Sequence, residues 1–231
     1  MTPLPIFIGY DEREPEAFAV LSHSILRRAS RPVAIVPVTR RSLARIHTRE
    51  RGPLESTDFA FTRFLVPALS GYLGHAIFMD CDMLCLTDIG DVMLPVMADP
   101  GKAVYVCQHD YVPKASTKFD GHIQTKYPRK NWSSFMVFDC ARCQALTPYY
   151  VETATGLELH RFQWTTDDRI GSLPLEWNWL VGEYEPNVQA KNLHFTLGGP
   201  WHGSQYACGS AADDWMLERD VMRSCSVQVA V

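Results

Sequence analysis

Ala76-Ile77-Phe78-Met79-Asp80-Cys81-Asp82 is the stretch on which the fold and chemistry of this chain turn. Four apolar residues without polar alternation form a strand buried on both faces, as in the middle of a parallel sheet. The run ends on two acids one residue apart. In extended chain, positions i and i+2 project to the same side, so two carboxylates converge at the strand's carboxyl end. Like charges held together in a partly dry pocket repel unless a cation lies between them. Oxygen donors with open positions suit a hard divalent ion, magnesium or manganese, which can also bridge to phosphate oxygens. The same pair has a plainer reading, with one aspartate capping the next segment and the other in a surface ion pair.

On the amino side, residues 6–8 form a short apolar strand closed by Gly9, and Pro15 stands where a first helical turn tolerates its missing N–H. The helix is predicted to run to about Arg28, with Phe18, Leu21 and Ile25 on one face. Residues 33–38 are a β-branched run, hence a second strand. Residues 55–69 are predicted to be a helix bent at Pro67, with Phe61, Phe64, Leu65 and Leu69 at steps of three and four. Further strands are predicted at 103–107, at 135–138 and around 193–195. Strands alternating with helices predict an α/β fold with a mixed, mostly parallel central sheet flanked by helices, and ligand sites at the strands' carboxyl ends.

The chain has 231 residues, 46% of them hydrophobic, enough apolar material for one domain spanning 1–231. A net charge of −4 argues against a nucleic-acid binder. Locally the balance differs: Arg27, Arg28, Arg31, Arg40, Arg41, Arg45, Arg49 and Arg51 face only Glu50 among the acids of that segment. Such a run reads as a solvated face or as a docking surface for an anionic acceptor. Seven scattered cysteines fit a reducing compartment, and the lone Cys140-x-x-Cys143 reads as two small apolar residues. Neither an export leader nor an apolar window of about 18 residues is present, so a cytoplasmic location is expected.

With these pieces in place, Ile77 to Met83 resembles the hydrophobic strand and D-x-D of the family-eight glycosyltransferases, the group of glycogenin and bacterial lipopolysaccharide sugar transferases. Other matches follow in order. Phe7-Ile8-Gly9-Tyr10-Asp11 resembles the family's first strand and nucleotide-binding turn, and Thr62-Arg63-Phe64-Leu65-Val66-Pro67 the segment before the D-x-D strand. Asn131 to Phe138, with Ser133 and Ser134, is similar to the strand over the donor sugar. Asp167-Asp168 stands where the family often has Asp-Gln, and Leu173-Pro174 with Trp177-Asn178 matches its late L-P and W-N pattern. His194 with Gly198-Gly199-Pro200-Trp201 resembles the carboxyl-terminal histidine motif, one residue shorter and lacking the family's lysine. Lys191, His202 or the backbone of Gly198 and Gly199 are candidates to replace that lysine at a phosphate.

The resemblance implies a nucleotide-diphospho-sugar transferase fold of GT-A type, with Asp80, Asp82 and His194 holding manganese or magnesium. It implies a UDP-sugar donor bound by Gly9, Tyr10, Asp11, Arg63, Cys81, Asn131, Ser134, Asp167, Gly198, Gly199 and Trp201. Arg63 would contact donor phosphate or sugar, Asp167 would position the reacting sugar, and a hexose would be transferred with retention. On their own chemistry, Tyr10 also fits a core aromatic, Asp11 a turn former and His194 a satisfied interior histidine. The acceptor is open among glycan, lipid-linked sugar, protein and modified nucleic acid. Three rivals are a non-catalytic nucleotide-sugar-binding module, a cysteine-based redox or zinc protein, and a nucleotide-sugar pyrophosphorylase, though the last should open with a glycine-rich basic loop that Gly9-Tyr10-Asp11 is not.

Overall fold

In the computed structural model, the apolar runs assemble into one six-stranded sheet and a smaller three-stranded one. The structure describes residues 2–52, 55, 57–110, 128–206 and 209–227. Strand β1 (Leu4–Gly9) lies between β2 (Val33–Val38) and β3 (His75–Met79), parallel to both. Helix α1 (Pro15–Arg28) crosses from β1 to β2. Ala17, Val20, Leu21 and Ile25 are buried along it, Leu21 and Ile25 in the large core and Val20 in the smaller one. The short α2 (Arg40–Leu43) follows, its Thr39 side chain accepting from Ser42 N–H as a cap.

The segment before β3 departs from the sequence expectation. Instead of one helix over 55–69, a 3₁₀ turn (Thr62–Leu65) leads into a single-turn α3 (Val66–Leu69). Two causes are visible. Residues 59–67 are buried on every side, so the spacing of apolar residues there marks a core crossing and not one helix face. Pro67, with no N–H, sits in the first turn of α3, where that loss costs least.

Beyond β3 come β4 (Met83–Cys85), α4 (Met93–Ala98), β5 (Val104–Cys107) and β6 (Phe135–Asp139). After these the chain forms α5 (Pro148–Thr153), α6 (Gly156–His160), β7 (Ile170–Leu173), β8 (Trp179–Leu180), β9 (Asn192–His194) and α7 (Gly209–Val227). The large sheet runs β2-β1-β3-β6-β5-β7, and the small one β4-β9-β8. β6 is antiparallel to both β3 and β5, and β5 is parallel to β7, so β6 alone runs against the other five. The sheet is mixed and mostly parallel, as expected. β4, β7 and β8 escaped the sequence reading because they are short, and β7 carries Gly171 and Ser172 at its centre.

The large core packs Phe59, Phe64, Phe78, Phe135, Phe138, Phe162 and Trp177 around the sheet, and a second core joins Val20, Leu84, Leu193, Phe195 and Trp215. Much of the basic segment braces the fold. Arg27 and Arg28 pair with Glu218 at 3.0 and 2.8 Å, and Arg51 with Asp58 at 3.0 Å. Arg40 meets Glu55 and the Arg49 carbonyl, while Arg49 donates to Ala154 O at 2.6 Å and lies over the Phe61 ring. Cys140 and Cys143 are buried, and burial pushes the Cys140 thiol up to about 11. Cys208 lies outside the described residues. No helix among the described residues is long and apolar enough to cross a membrane.

Candidate metal and donor site

Because five strands point one way, Gly9, Met79, Cys107 and Leu173 end at a common rim of the sheet, where reversed β6 begins at Phe135. Ile8 is level with Met79, and Met79 with Phe135. That register sets Gly9, Asp80 and Ser134 side by side, and Asp80 N–H donates to Ser134 O at 2.9 Å. The small sheet completes the rim: Met83 pairs with His194, and Phe195 N–H donates to Asp82 O at 2.9 Å.

One donor atom each from Asp80, Asp82 and His194 falls within 4.8 Å of the others. His194 Nε2 is 3.4 Å from Asp82 Oδ1, and its Nδ1 is 2.9 Å from Asn178 Oδ1. The tautomer follows from the surrounding bonds. Asn178 Nδ2 faces the Asn131 carbonyl at 3.1 Å, which can only accept, so the amide's oxygen faces His194 and Nδ1 must carry the proton. In the neutral ring Nε2 then turns its lone pair toward the two carboxylates. Three acceptors aimed at one point, with the histidine oriented by a buried amide, fit a divalent cation and its usual outer-shell support.

Arg63 touches the trio through Asp80. Its Nη1 lies 2.9 Å from Asp80 Oδ1 and donates to Ser133 O at 2.9 Å, while Nε donates to Phe59 O at 3.3 Å. The guanidinium is buried, 5.2 and 5.1 Å from the Phe59 and Phe78 ring centres. Gly9 is required beside it, since a Cβ there would lie 2.4 Å from the Phe59 ring.

Tyr10 is half-buried and packs edge-on against Phe18. Asp11 is 1% exposed and holds Arg13 Nε and Nη2 at 2.9 and 2.7 Å, with the backbone N–H of Arg13 and Asp58. Burial pushes its pKa up, and these bonds more than offset that, so the carboxyl stays below its ordinary range. Asn131 adopts a left-handed conformation (φ 62°), and its carbonyl collects Ser134 Oγ and Asn178 Nδ2. Ser134 Oγ in turn accepts from Asn178 Nδ2 at 2.9 Å.

Asp167 stands apart: it precedes β7, its side chain is 82% exposed, and it pairs with Arg129 at 2.7 Å. In the glycine turn, Gly198 has φ 105° and its N–H donates to Phe195 O at 2.8 Å. A Cβ on Gly199 would fall 2.0 Å from the Trp201 ring. Lys191 lies over the Trp177 ring at 5.1 Å.

Two groups at this rim had no assigned role in the sequence reading. Glu14 is buried, and its Oε1 accepts from His202 Nε2 at 2.8 Å and Trp201 Nε1 at 3.4 Å, while Oε2 receives Cys81 Sγ at 3.5 Å. Burial, then the nearby Asp82 charge, push its pKa up against these donors. His109, just past β5, is buried with Nδ1 2.9 Å from the Tyr184 hydroxyl. Burial and the neighbouring His194 hold its pKa down to about 3. Glu14 had only its place before Pro15 to mark it, and His109 only its place after a strand.

The architecture is the fold seen in solved GT-A glycosyltransferase structures. The chain matches the bifunctional glycosyltransferase WbbM with a TM-score of 0.62 at 16% identity over 94% of this chain, and it spans 50% of that protein's length. It matches glycosyltransferase GlyE of Streptococcus pneumoniae with a TM-score of 0.60 at 12% identity, covering 100% of this chain and 64% of that one. Galactosyltransferase LgtC, solved with donor and acceptor sugar analogues, matches with a TM-score of 0.58 at 9% identity over 94% and 96% of the two chains. No family model matches the sequence. Protein CDI of Arabidopsis thaliana is 47% identical over 227 residues, 94% of this chain and 86% of the relative. The chain belongs to the CDI family.

Proposed function

We propose that this protein is a metal-dependent glycosyltransferase that moves a hexose from a UDP-sugar to an acceptor, with retention of configuration. The observation that carries the proposal is the convergence of Asp80, Asp82 and His194 within 4.8 Å at the sheet rim, with His194 fixed by Asn178. Manganese or magnesium bound there would supply Lewis-acid stabilisation for a departing diphosphate. The chain's own groups do the rest. Arg63 holds Asp80 in place through a buried ion pair. Tyr10, beside Gly9, offers a face to the base, and Asp11, already braced by Arg13, shapes that turn. Asn131 and Ser134 present neutral hydrogen-bonding groups suited to sugar hydroxyls. The Gly199 N–H and the His202 ring would approach phosphate in place of the lysine of the family-eight pattern. Asp167 reaches the sugar only by leaving Arg129.

The outward position of Asp167 favours a second reading, a module that binds the nucleotide sugar without turning it over. The acceptor, whether glycan, lipid-linked sugar, protein or modified nucleic acid, is not specified by the site. Titration calorimetry with UDP, with and without manganese, is expected to show strongly metal-dependent binding. Mass spectrometry across a panel of UDP-sugars is then expected to show slow metal-dependent hydrolysis of one donor. Binding without release of sugar or UDP selects the non-catalytic module, and no metal-dependent binding rejects both.

A further inference from the structure

Glu14 departs from the habit of an acid at a helix start. It sits just before Pro15, where a carboxylate ordinarily accepts from first-turn N–H groups, yet it makes no side-chain cap. The carboxylate turns inward and takes its donors from two distant segments, His202 and Trp201 on Oε1 and Cys81 on Oε2. Cys81 is the residue between the two aspartates of the trio. Trp201 and His202 follow the glycine turn directly.

From that carboxylate a rigid series of contacts runs to the turn. Trp201 packs closely against Gly199, where a Cβ would fall 2.0 Å from its ring, and it is backed by Trp215 at 5.2 Å and Phe195 at 5.7 Å between ring centres. Phe195 is hydrogen-bonded to Asp82 through its backbone, and Gly198 to Phe195. Fixing Trp201 therefore fixes the backbone of 198–199 relative to the trio. His202, held by Nε2, also packs between Trp201 and Tyr206, with ring centres 5.5 and 6.0 Å away.

The geometry points to Glu14 as the positioning residue for the donor diphosphate: by holding His202 and Trp201 it keeps the glycine turn set against Asp80, Asp82 and His194. The assignment rests on the transferase reading only in taking a nucleoside diphosphate as the ligand. It adds that affinity for the diphosphate is set by a carboxylate that does not touch it. A preorganised loop binds more tightly because less freedom is lost on binding.

The test is a double-mutant cycle read as UDP affinity in manganese, on the full chain, with Glu14→Ala, His202→Gln and the double variant. Each single change is expected to weaken UDP about tenfold, and the double variant to be no weaker than the worse single, since both remove one latch. Manganese binding without nucleotide, followed by electron paramagnetic resonance, is expected to change less than about twofold, because the trio's ligands are untouched. Glu14→Gln, which keeps an acceptor for Trp201 and His202, is expected to recover part of the loss. It also serves if Glu14→Ala does not fold. UDP affinity unchanged in the singles, losses that simply multiply in the double, or no recovery by Glu14→Gln each overturn the assignment while leaving the transferase reading intact. A wild-type chain that binds no UDP with manganese overturns both.

Discussion

At the scale of single residues, the most exacting position is Asn178. It is wholly buried, and it faces three partners with one amide: Nδ2 to Asn131 O and Ser134 Oγ, Oδ1 to His194 Nδ1. Asn178→Ala removes the group that sets the histidine's tautomer, so manganese affinity is expected to fall about 10- to 100-fold, as for other second-layer partners of metal ligands. Electron paramagnetic resonance titration of free manganese measures it directly, and Asn178→Asp, which keeps the acceptor for Nδ1–H, is expected to lose less. Arg63 shows why such roles are hard to read from residue type. The sequence placed it before the D-x-D strand with a choice of partners, and only the fold reveals that it is committed to Asp80 and the Ser133 carbonyl.

At the scale of elements, α7 is fastened to α1 by one buried acid. Glu218, 2% exposed, receives His23 at 2.6 Å, Arg27 at 3.0 Å and Arg28 at 2.8 Å. Burial pushes its pKa up, but the three basic partners outweigh that and hold it below the usual 4.5. A carboxyl depressed in the folded state contributes stability that is present above 4.5 and is lost as pH falls through the folded value. Urea melts at pH 7 and pH 3 are therefore expected to show a cost of about 2 kcal/mol for Glu218→Gln at pH 7, shrinking toward pH 3.

This clamp was invisible in the sequence, because its members lie almost two hundred positions apart and the arginines resembled an open basic surface. By contrast the elements around β1, α1, β2 and β3 were legible to within two residues, since each is a buried run with one dominant period. Residues 55–69 were misread as one helix because a segment buried all round shows apolar residues at every spacing, including the helical one. The trio was legible as a pair of acids at the end of a buried strand, although both lie past Met79 where the chain bends and strand parity no longer applies, whereas His194 needed the resemblance, being brought in by a second sheet over a hundred residues later.

At the scale of the whole molecule, two cores meet on α1, and the trio is assembled across the line between them, with Asp80 ending the large sheet and His194 in the small one. A ligand spanning that line must stabilise the folded chain. With manganese and UDP at about 100 times the dissociation constant, the gain is roughly 2.7 kcal/mol. For a domain of this size that corresponds to a melting temperature about 5–10 °C higher. Differential scanning calorimetry with each component alone and together checks it, and the combined shift is expected to exceed the sum of the separate ones.

The reversal of β6 has a consequence for where this fold is sensitive to change. β5 ends and β6 begins at the same rim, so His109 and Asn131 both border the candidate site. Substitutions at these two positions are expected to alter the site while the strand pairings stay as they are.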